Sequence, residues 1–154
     1  AAAAYQEALA LYRRYTAAHP EAYLPAVAMT LNNLGTLQRD QHDFAAAAAA
    51  YQEALALYRR LAEAHPEAYL PDVAMTAVNL SIFYLQSVPD KEASLAYAKE
   101  ALISAFPLVE SVPAAQEYAR TAVQVIQAWG LDTEEFLNQL ISAIQATQGD
   151  KDEV

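Results

Sequence analysis

The chain has 154 residues, of which 55% are hydrophobic and none is cysteine. It is therefore long enough to bury a continuous core, and it has neither a disulfide framework nor thiolate chemistry. The net charge of −10 opposes contact with phosphate backbones and anionic lipid. No apolar run reaches the roughly 18 residues of a membrane span. We expect no nucleic-acid partner and no membrane partner.

An internal repeat dominates the sequence. Residues 1–30 recur almost unchanged at residues 47–76, which is a period of 46 residues. A fixed period of this length is typical of stacked supersecondary units, each burying its apolar face on its neighbours. Only four pairs of positions differ between the copies: Tyr15/Leu61, Thr16/Ala62, Ala17/Glu63 and Ala26/Asp72.

The sequence of each copy predicts two helices. The first copy predicts helices over 1–18 and 25–40, separated by a stop at His19-Pro20. In the second, apolar residues recur at three- and four-residue steps over 44–64, and Asp43 caps that helix. After His65-Pro66 a short link, 67–70, should precede a helix over 72–86. Pro71 would then lie in its first turn, and Asp72 would complement its dipole.

The repeat signature is lost after Phe106. Pro107 ends a fifth helix, and a sixth is predicted from Val112-Pro113 to about Trp129, with Gly130 as its C-terminal cap. A capping box at 132–135 starts a last helix over about 133–147, followed by a frayed charged tail at 149–154. We predict seven helices in an all-α fold, a right-handed α-solenoid of antiparallel helix pairs. Residues 1–106 would form the repeats and 107–154 the C-terminal capping helices and tail.

These residues resemble the tetratricopeptide repeat family. The resemblance rests on residues 33–37 (NLGTL), a polar turn at 40–43, and then Phe44, Ala47, Tyr51 and Ala54 in register. Small Gly35 would let the paired helix approach closely. The period exceeds the family's usual 34 residues, which makes the chain more similar to the extended repeats of kinesin light chains. Large bacterial regulators also carry such arrays beside nucleotide-switch or protease-like domains.

Catalytic and metal sites are not indicated. The three glycines are isolated, so they form no phosphate-binding loop. His19 and His65 are equivalent helix stops, and neither they nor His42 has a second ligand at helical spacing. We therefore expect no enzyme activity, no cofactor and no metal.

The resemblance implies a binding groove, because in this family the first helix of each pair lines a concave surface. There Asn33 and Asn79, one repeat apart, would bond the main chain of an extended peptide or partner helix, with Arg39 two turns beyond Asn33. The alternative is that the two asparagines bridge neighbouring helices. The acidity of the chain favours neutral or basic peptides. The candidate groove residues are Met29, Asn32, Asn33, Thr36, Arg39, Met75, Asn79 and Ile82.

Two other interpretations stay open: a structural or sensor segment of a larger protein, and an engineered or recently duplicated array without an evolved ligand. The chain starts inside a repeat without Met, so we interpret it as a fragment and give the lack of a signal peptide little weight. We expect a cytoplasmic location. The first helix would leave Tyr5, Leu9 and Tyr12 partly uncovered, which predicts self-association there or cover by a missing repeat.

Overall fold

The computed structural model describes the backbone of residues 1–152 and the side chains of residues 1–147. All regular structure in that range is helical, which confirms the all-α class and the seven predicted helices. A single 3-10 turn, Phe106–Leu108, follows α5. The helices are α1 (Ala2–Thr16), α2 (Pro20–Asp40), α3 (Phe44–Ala64), α4 (Pro66–Gln86), α5 (Lys91–Ala105), α6 (Pro113–Ala128) and α7 (Thr133–Asp152).

The helices stack in chain order. Each helix from α1 to α6 packs on the next, and contacts also join α2 to α4 and α4 to α6. Consecutive helices joined by short links must run antiparallel; α3 and α4, for example, are separated by His65 alone. The result is a helical solenoid in which α2, α4 and α6 are neighbours along one side. The right-handed sense and the boundary at residue 106 stay predictions.

The core follows the apolar stripes of the repeats. Tyr51 and Leu55 of α3 and Leu80 and Phe83 of α4 are among the most deeply buried side chains. They belong to one cluster that runs through the helices from α2 to α7. Burial of one stripe on its neighbour, rather than helix propensity alone, therefore stabilises each helix.

The prolines set the helix starts differently from the prediction. Helices α2 and α4 begin at Pro20 and Pro66, so the predicted starts at 25 and 72 are wrong. The link at 67–70 is helical, and Pro25 and Pro71 lie inside their helices, where each removes a hydrogen-bond donor. Tertiary contact offsets the lost hydrogen bonds. Tyr23 stacks on Tyr15, and Leu24, Tyr69 and Leu70 pack on the core.

Other helix ends agree more closely with the sequence. Asp43 accepts a hydrogen bond from the Ala46 amide at 3.3 Å, and Asp132 accepts one from the Glu135 amide at 2.8 Å. Gly130 follows α6 with a φ of +76°, as expected of a C-terminal cap. The predicted end of α7 at residue 147 is wrong, since the helix continues to Asp152. The end of the predicted tail, residues 153–154, lies outside the described residues.

Helix α4 is the most apolar helix of the stack. Within the described residues it alone is long and apolar enough to cross a membrane, with a mean hydropathy of 1.2. The prediction that no apolar stretch is long enough to span a membrane is therefore wrong for α4. Its position explains the composition: α4 packs on α3, α5 and α6, so three neighbours cover it.

Gly35 lies at a close helix contact. A Cβ added there would come within 2.9 Å of Cδ1 and 3.0 Å of Cγ of Tyr51. The Tyr51 ring has little freedom to move, because its hydroxyl bonds Thr36 at 2.9 Å and its edge meets Phe83. The close approach of α2 and α3 therefore requires glycine despite its helix penalty of about 1 kcal/mol.

Substitution of Gly35 tests this contact. Gly35→Leu should lower the free energy of unfolding by about 1–3 kcal/mol, the usual cost of overpacking, and Gly35→Ala should lower it by less. Thermal and urea unfolding measure both. In a Tyr51→Leu background the cost of Gly35→Ala should shrink or change sign, since the ring is gone. A more stable Gly35→Leu protein would contradict the close-contact explanation.

A buried serine pair joins α4 to α5. The Ser81 hydroxyl donates to the Ser94 carbonyl, and the Ser94 hydroxyl donates to the Ser81 carbonyl, both at 2.8 Å. Trp129, just after α6, donates its Nε1–H to the Ser94 hydroxyl at 2.9 Å. Ser81, which stands 46 residues after Gly35, is thus part of a hydrogen-bond network that joins α4, α5 and the residue following α6.

Removal of the Ser94 hydroxyl should be costly. Ser94→Ala leaves the Trp129 N–H without this acceptor, and an unsatisfied buried donor costs about 1–3 kcal/mol. We expect a lower melting temperature and a change in Trp129 fluorescence. Ser104→Ala, at another buried serine of α5, is the matched control and should leave the fluorescence unchanged. Equal effects of the two substitutions would argue against the network.

Candidate functional site

Two neighbouring helices present the same side-chain pattern. Positions i, i+4 and i+7 lie on one face of a helix. Because the period is 46 residues, the face that these positions form on α2 has an equivalent on α4. The face is partly open to solvent: Met29 is 53% exposed and Asn33 is exposed, whereas the other members are half-buried. We call this face the paired stripe; its members are Met29, Asn33 and Thr36 on α2 and Met75, Asn79 and Ile82 on α4.

An amide pair connects the two halves of the paired stripe. Asn79 Nδ2 donates to Asn32 Oδ1 at 3.1 Å. Asn32 is only 5% exposed, so it lies between α2 and α4 rather than on the surface. This bond fixes the side chain of Asn79 but engages only one of its polar atoms. The bridging asparagine of α2 is thus Asn32, and Asn33 stays exposed.

Thr36 and Ile82 have structural contacts of their own. The Thr36 hydroxyl bonds the Tyr51 hydroxyl at 2.9 Å and the Asn32 carbonyl at 3.3 Å. Ile82 packs against the main core cluster. Both residues are half-buried, as is Asn79, and of the two asparagines only Asn33 is more exposed than they are.

The guanidinium of Arg39, at the end of α2, is hydrogen-bonded to the neighbouring residue Asp40. Its Nε and Nη2 atoms lie 3.1 and 2.9 Å from Oδ1 of Asp40. An incoming carboxylate would have to displace this neighbour or share the guanidinium with it. A grip on an acidic C-terminus through Arg39 is therefore disfavoured by the local charge.

Of the three residues of α1 that were expected to be partly uncovered, Tyr5 and Tyr12 are half-buried as expected and Leu9 is not. Leu9 is only 7% exposed and belongs to a core cluster with Leu31 and Leu34 of α2, so the expectation that it is uncovered is wrong. Tyr5 and Tyr12 are half-buried on the same side of the helix. The exposed large apolar residues of α1 are Leu11 and Tyr15.

Titratable groups of three helices converge around Asp72. This half-buried acid of α4 lies in a poorly hydrated position, which raises the pKa of its carboxyl above the usual 3.8. Burial first, and then the charge of Asp72, raise the pKa of Tyr58 on α3 and of Tyr118 on α6. Such phenols stay protonated at neutral pH and do not act as bases. Among the described side chains, no group of three His, Cys, Asp or Glu could hold a metal ion.

The position of Asp72 differs from its predicted role. Because α4 begins at Pro66, Asp72 lies in the second turn of the helix rather than near its N-terminus. The first copy has Ala26 at the equivalent position. The sequence shows this difference, but the loss of hydration at Asp72 comes from its burial in the folded chain.

The raised pKa of Asp72 has a consequence for stability. The folded state binds more protons than the unfolded state between the usual and the raised pKa, so stability falls as pH rises through that window. Asp72→Asn should therefore raise the melting temperature at pH 7 and lose this advantage below about pH 3.5. Glu63→Gln, at an exposed acid of α3, controls for net charge. A less stable Asp72→Asn protein at pH 7 would contradict the explanation.

Comparison with known proteins agrees with the architecture. Residues 27–67 match the family model described as "Tetratricopeptide repeat". The match covers the end of α2, all of α3 and the first residues of α4, the part of the chain that holds Gly35, Tyr51 and the first half of the paired stripe. Neither the curated proteins nor the solved structures give a match to the chain. Residues 27–67 are therefore similar to a tetratricopeptide repeat, and the helices of the described part of the chain stack as a helical solenoid.

Proposed function

We propose that the chain is a non-enzymatic scaffold that binds an extended peptide or a partner helix across α2 and α4, on the paired stripe. Tetratricopeptide repeats generally mediate protein–protein interaction, which supports a protein partner. The site itself is our inference from the surface of these two helices.

One observation carries the proposal. Two adjacent helices present a methionine and an asparagine in the same register, and the Asn32–Asn79 bond holds one of the two amides in place. An amide that is already oriented loses less freedom on binding, which favours affinity. Met29 and Met75 add flexible apolar contact that fits different side chains. A ligand crossing the helices would thus meet an amide and a thioether on each.

The charge of the chain selects among ligands. A net charge of −10 attracts basic peptides over long distances and repels acidic ones. Arg39 does not reverse this preference, because Asp40 occupies its guanidinium. We therefore expect neutral or basic peptides to bind, with association rates that fall as salt is added when the peptide is basic.

A structural spacer is the second candidate. It is favoured by the internal bonds of the predicted groove residues, since Asn32, Thr36 and Asn79 all join neighbouring helices. Such an array would hold other domains apart and need no ligand on the paired stripe. A cytoplasmic location is part of our proposal for either role.

The two candidates are separated by a binding screen. Peptides selected by display on the whole chain should lose more than about 0.5 kcal/mol of binding free energy with Asn33→Ala or Asn79→Ala, because a net hydrogen bond is worth about 0.5–1.5 kcal/mol. Titration calorimetry measures the loss. Asn32→Val introduces the residue found at the equivalent position of α4, Val78, and removes the hydrogen bond that orients Asn79. This substitution should weaken peptide binding less than Asn33→Ala or Asn79→Ala does.

The matched control is Asn138→Ala on the exposed side of α7, which should leave binding unchanged. If selected peptides bind equally well to the Asn33→Ala and Asn79→Ala proteins, the asparagines are structural and the paired stripe is not the site. If no peptide is selected at all, the spacer candidate is favoured.

A further inference from the structure

Helices α1 and α3 are equivalent in the 46-residue repeat, and on α3 one stripe of residues faces the preceding repeat. On α3 this stripe contains Ala50, Glu53 and Leu57, spaced at three and four residues. Glu53 bonds Arg13 of α1 at 2.7 Å, so the stripe faces α1. Ala50 is buried, and Leu57 is half-buried, in a cluster formed with α1 and α2.

The equivalent stripe on α1 is open. Positions 46 residues earlier are Ala4, Glu7 and Leu11, and all three are exposed. Leu11 is 52% exposed, whereas its equivalent Leu57 is half-buried. Ala4 and Leu11 are thus exposed on α1, whereas their equivalents Ala50 and Leu57 are covered on α3, and Glu53 of α3 is exposed but paired with Arg13. We call Ala4, Glu7 and Leu11 the open stripe.

Ion pairs mark which element covers each stripe. Arg13 of α1 bonds Glu53 of α3 at 2.7 Å, and Arg59 of α3 bonds Glu100 of α5 at 2.6 Å. Arg59 is 46 residues after Arg13, so the pairs form a ladder in which α1 donates to α3 and α3 donates to α5. Glu7 stands 46 residues before Glu53, so it is the residue that an arginine of a preceding helix would bond.

We propose that the open stripe of α1 is an interface for a further helix pair of the same repeat type, joined in the 46-residue register, whose first helix carries an arginine at the position of Arg13. The structure supplies the template, since the pair α1–α2 covers the same stripe on α3. The partner needs an apolar surface like that of Leu9, Leu31 and Leu34 to cover Leu11. The arginine then bonds Glu7.

A second copy of the chain, stacked head to tail, does not offer this surface. The ladder of ion pairs does not extend beyond α5. Glu100 follows Glu53 by 47 residues, and the residue that follows Arg59 by the same 47 residues is Phe106, which is not an arginine. The last helix, α7, presents the polar residues Asn138, Gln139 and Ser142 on one side. On another side it borders an apolar groove with α5, lined by Leu102, Phe106 and Ile141 among others, which has no arginine to bond Glu7. Self-association is therefore the rival outcome rather than the proposal.

The test places a repeat unit on the open stripe. Residues 1–46 are duplicated in front of Ala1, so that residue 46 joins Ala1 as it joins Ala47 within the chain. We expect the extended chain to be a monomer with added helix content and a higher melting temperature. Leu11→Glu in the original copy should lower the melting temperature of the extended chain by several degrees and leave that of the parent nearly unchanged.

Two further variants make the test specific. Ala10→Glu is the matched control, because its equivalent Ala56 stays exposed on covered α3. It should have little effect in either chain. Glu7→Arg should lower the melting temperature of the extended chain, and Arg13→Glu in the added unit should restore part of that loss by re-forming the pair with opposite charges.

Three results would overturn the proposal. The added unit could stay unfolded and protease-sensitive while the original part melts as before. Leu11→Glu could have the same effect on the parent and the extended chain. Sedimentation could show that the parent dimerises and that Leu11→Glu abolishes the dimer, which would assign the stripe to a second copy. Peptide binding on the paired stripe is measured separately and does not depend on these results.

Discussion

The structure depends on one constraint: no helix of the chain can bury its apolar stripe by itself. The stripe of α3 needs α2 and α4, and the stripe of α4 needs α3, α5 and α6. Stability is therefore close to a sum of contacts between neighbours, as in other repeat proteins. The same constraint explains why the chain tolerates two prolines inside helices, since packing of Tyr69 and Leu70 on the core offsets the lost hydrogen bond before Pro71.

The constraint also separates structural from available surface. Polar residues at helix contacts are used to join neighbours, as in the reciprocal Ser81–Ser94 bonds and the Asn32–Asn79 bond. Among the surfaces that remain open are the outer face of α2 and α4, the exposed side of α1, and an apolar groove between α5 and α7. The two proposals made for the molecule concern the first two of these surfaces, which lie on different helices.

Near-identity of two repeats makes the chain its own control. Ala26 and Asp72 occupy equivalent positions, yet only Asp72 is a poorly hydrated acid. Leu11 and Leu57 are identical residues at equivalent positions, yet one is exposed and the other is half-buried. In the second comparison the residues are identical, so the difference in exposure comes from the neighbouring helix, whereas in the first the residues themselves differ.

The sequence by itself determined the helical class, the stacking order, the caps and the close contact at Gly35, because these follow from local spacing, from side chains that bond nearby amides and from the 46-residue period. It did not determine the starts of α2 and α4, since local rules place Pro25 and Pro71 in a first turn and only packing on α1 and α3 extends the helices back to Pro20 and Pro66. Nor did it identify which asparagine bridges the helices. Asn32 and Asn33 are adjacent in sequence, and a rotation of about 100° per residue directs one towards α4 and the other to solvent, which only the tertiary arrangement of α2 against α4 decides.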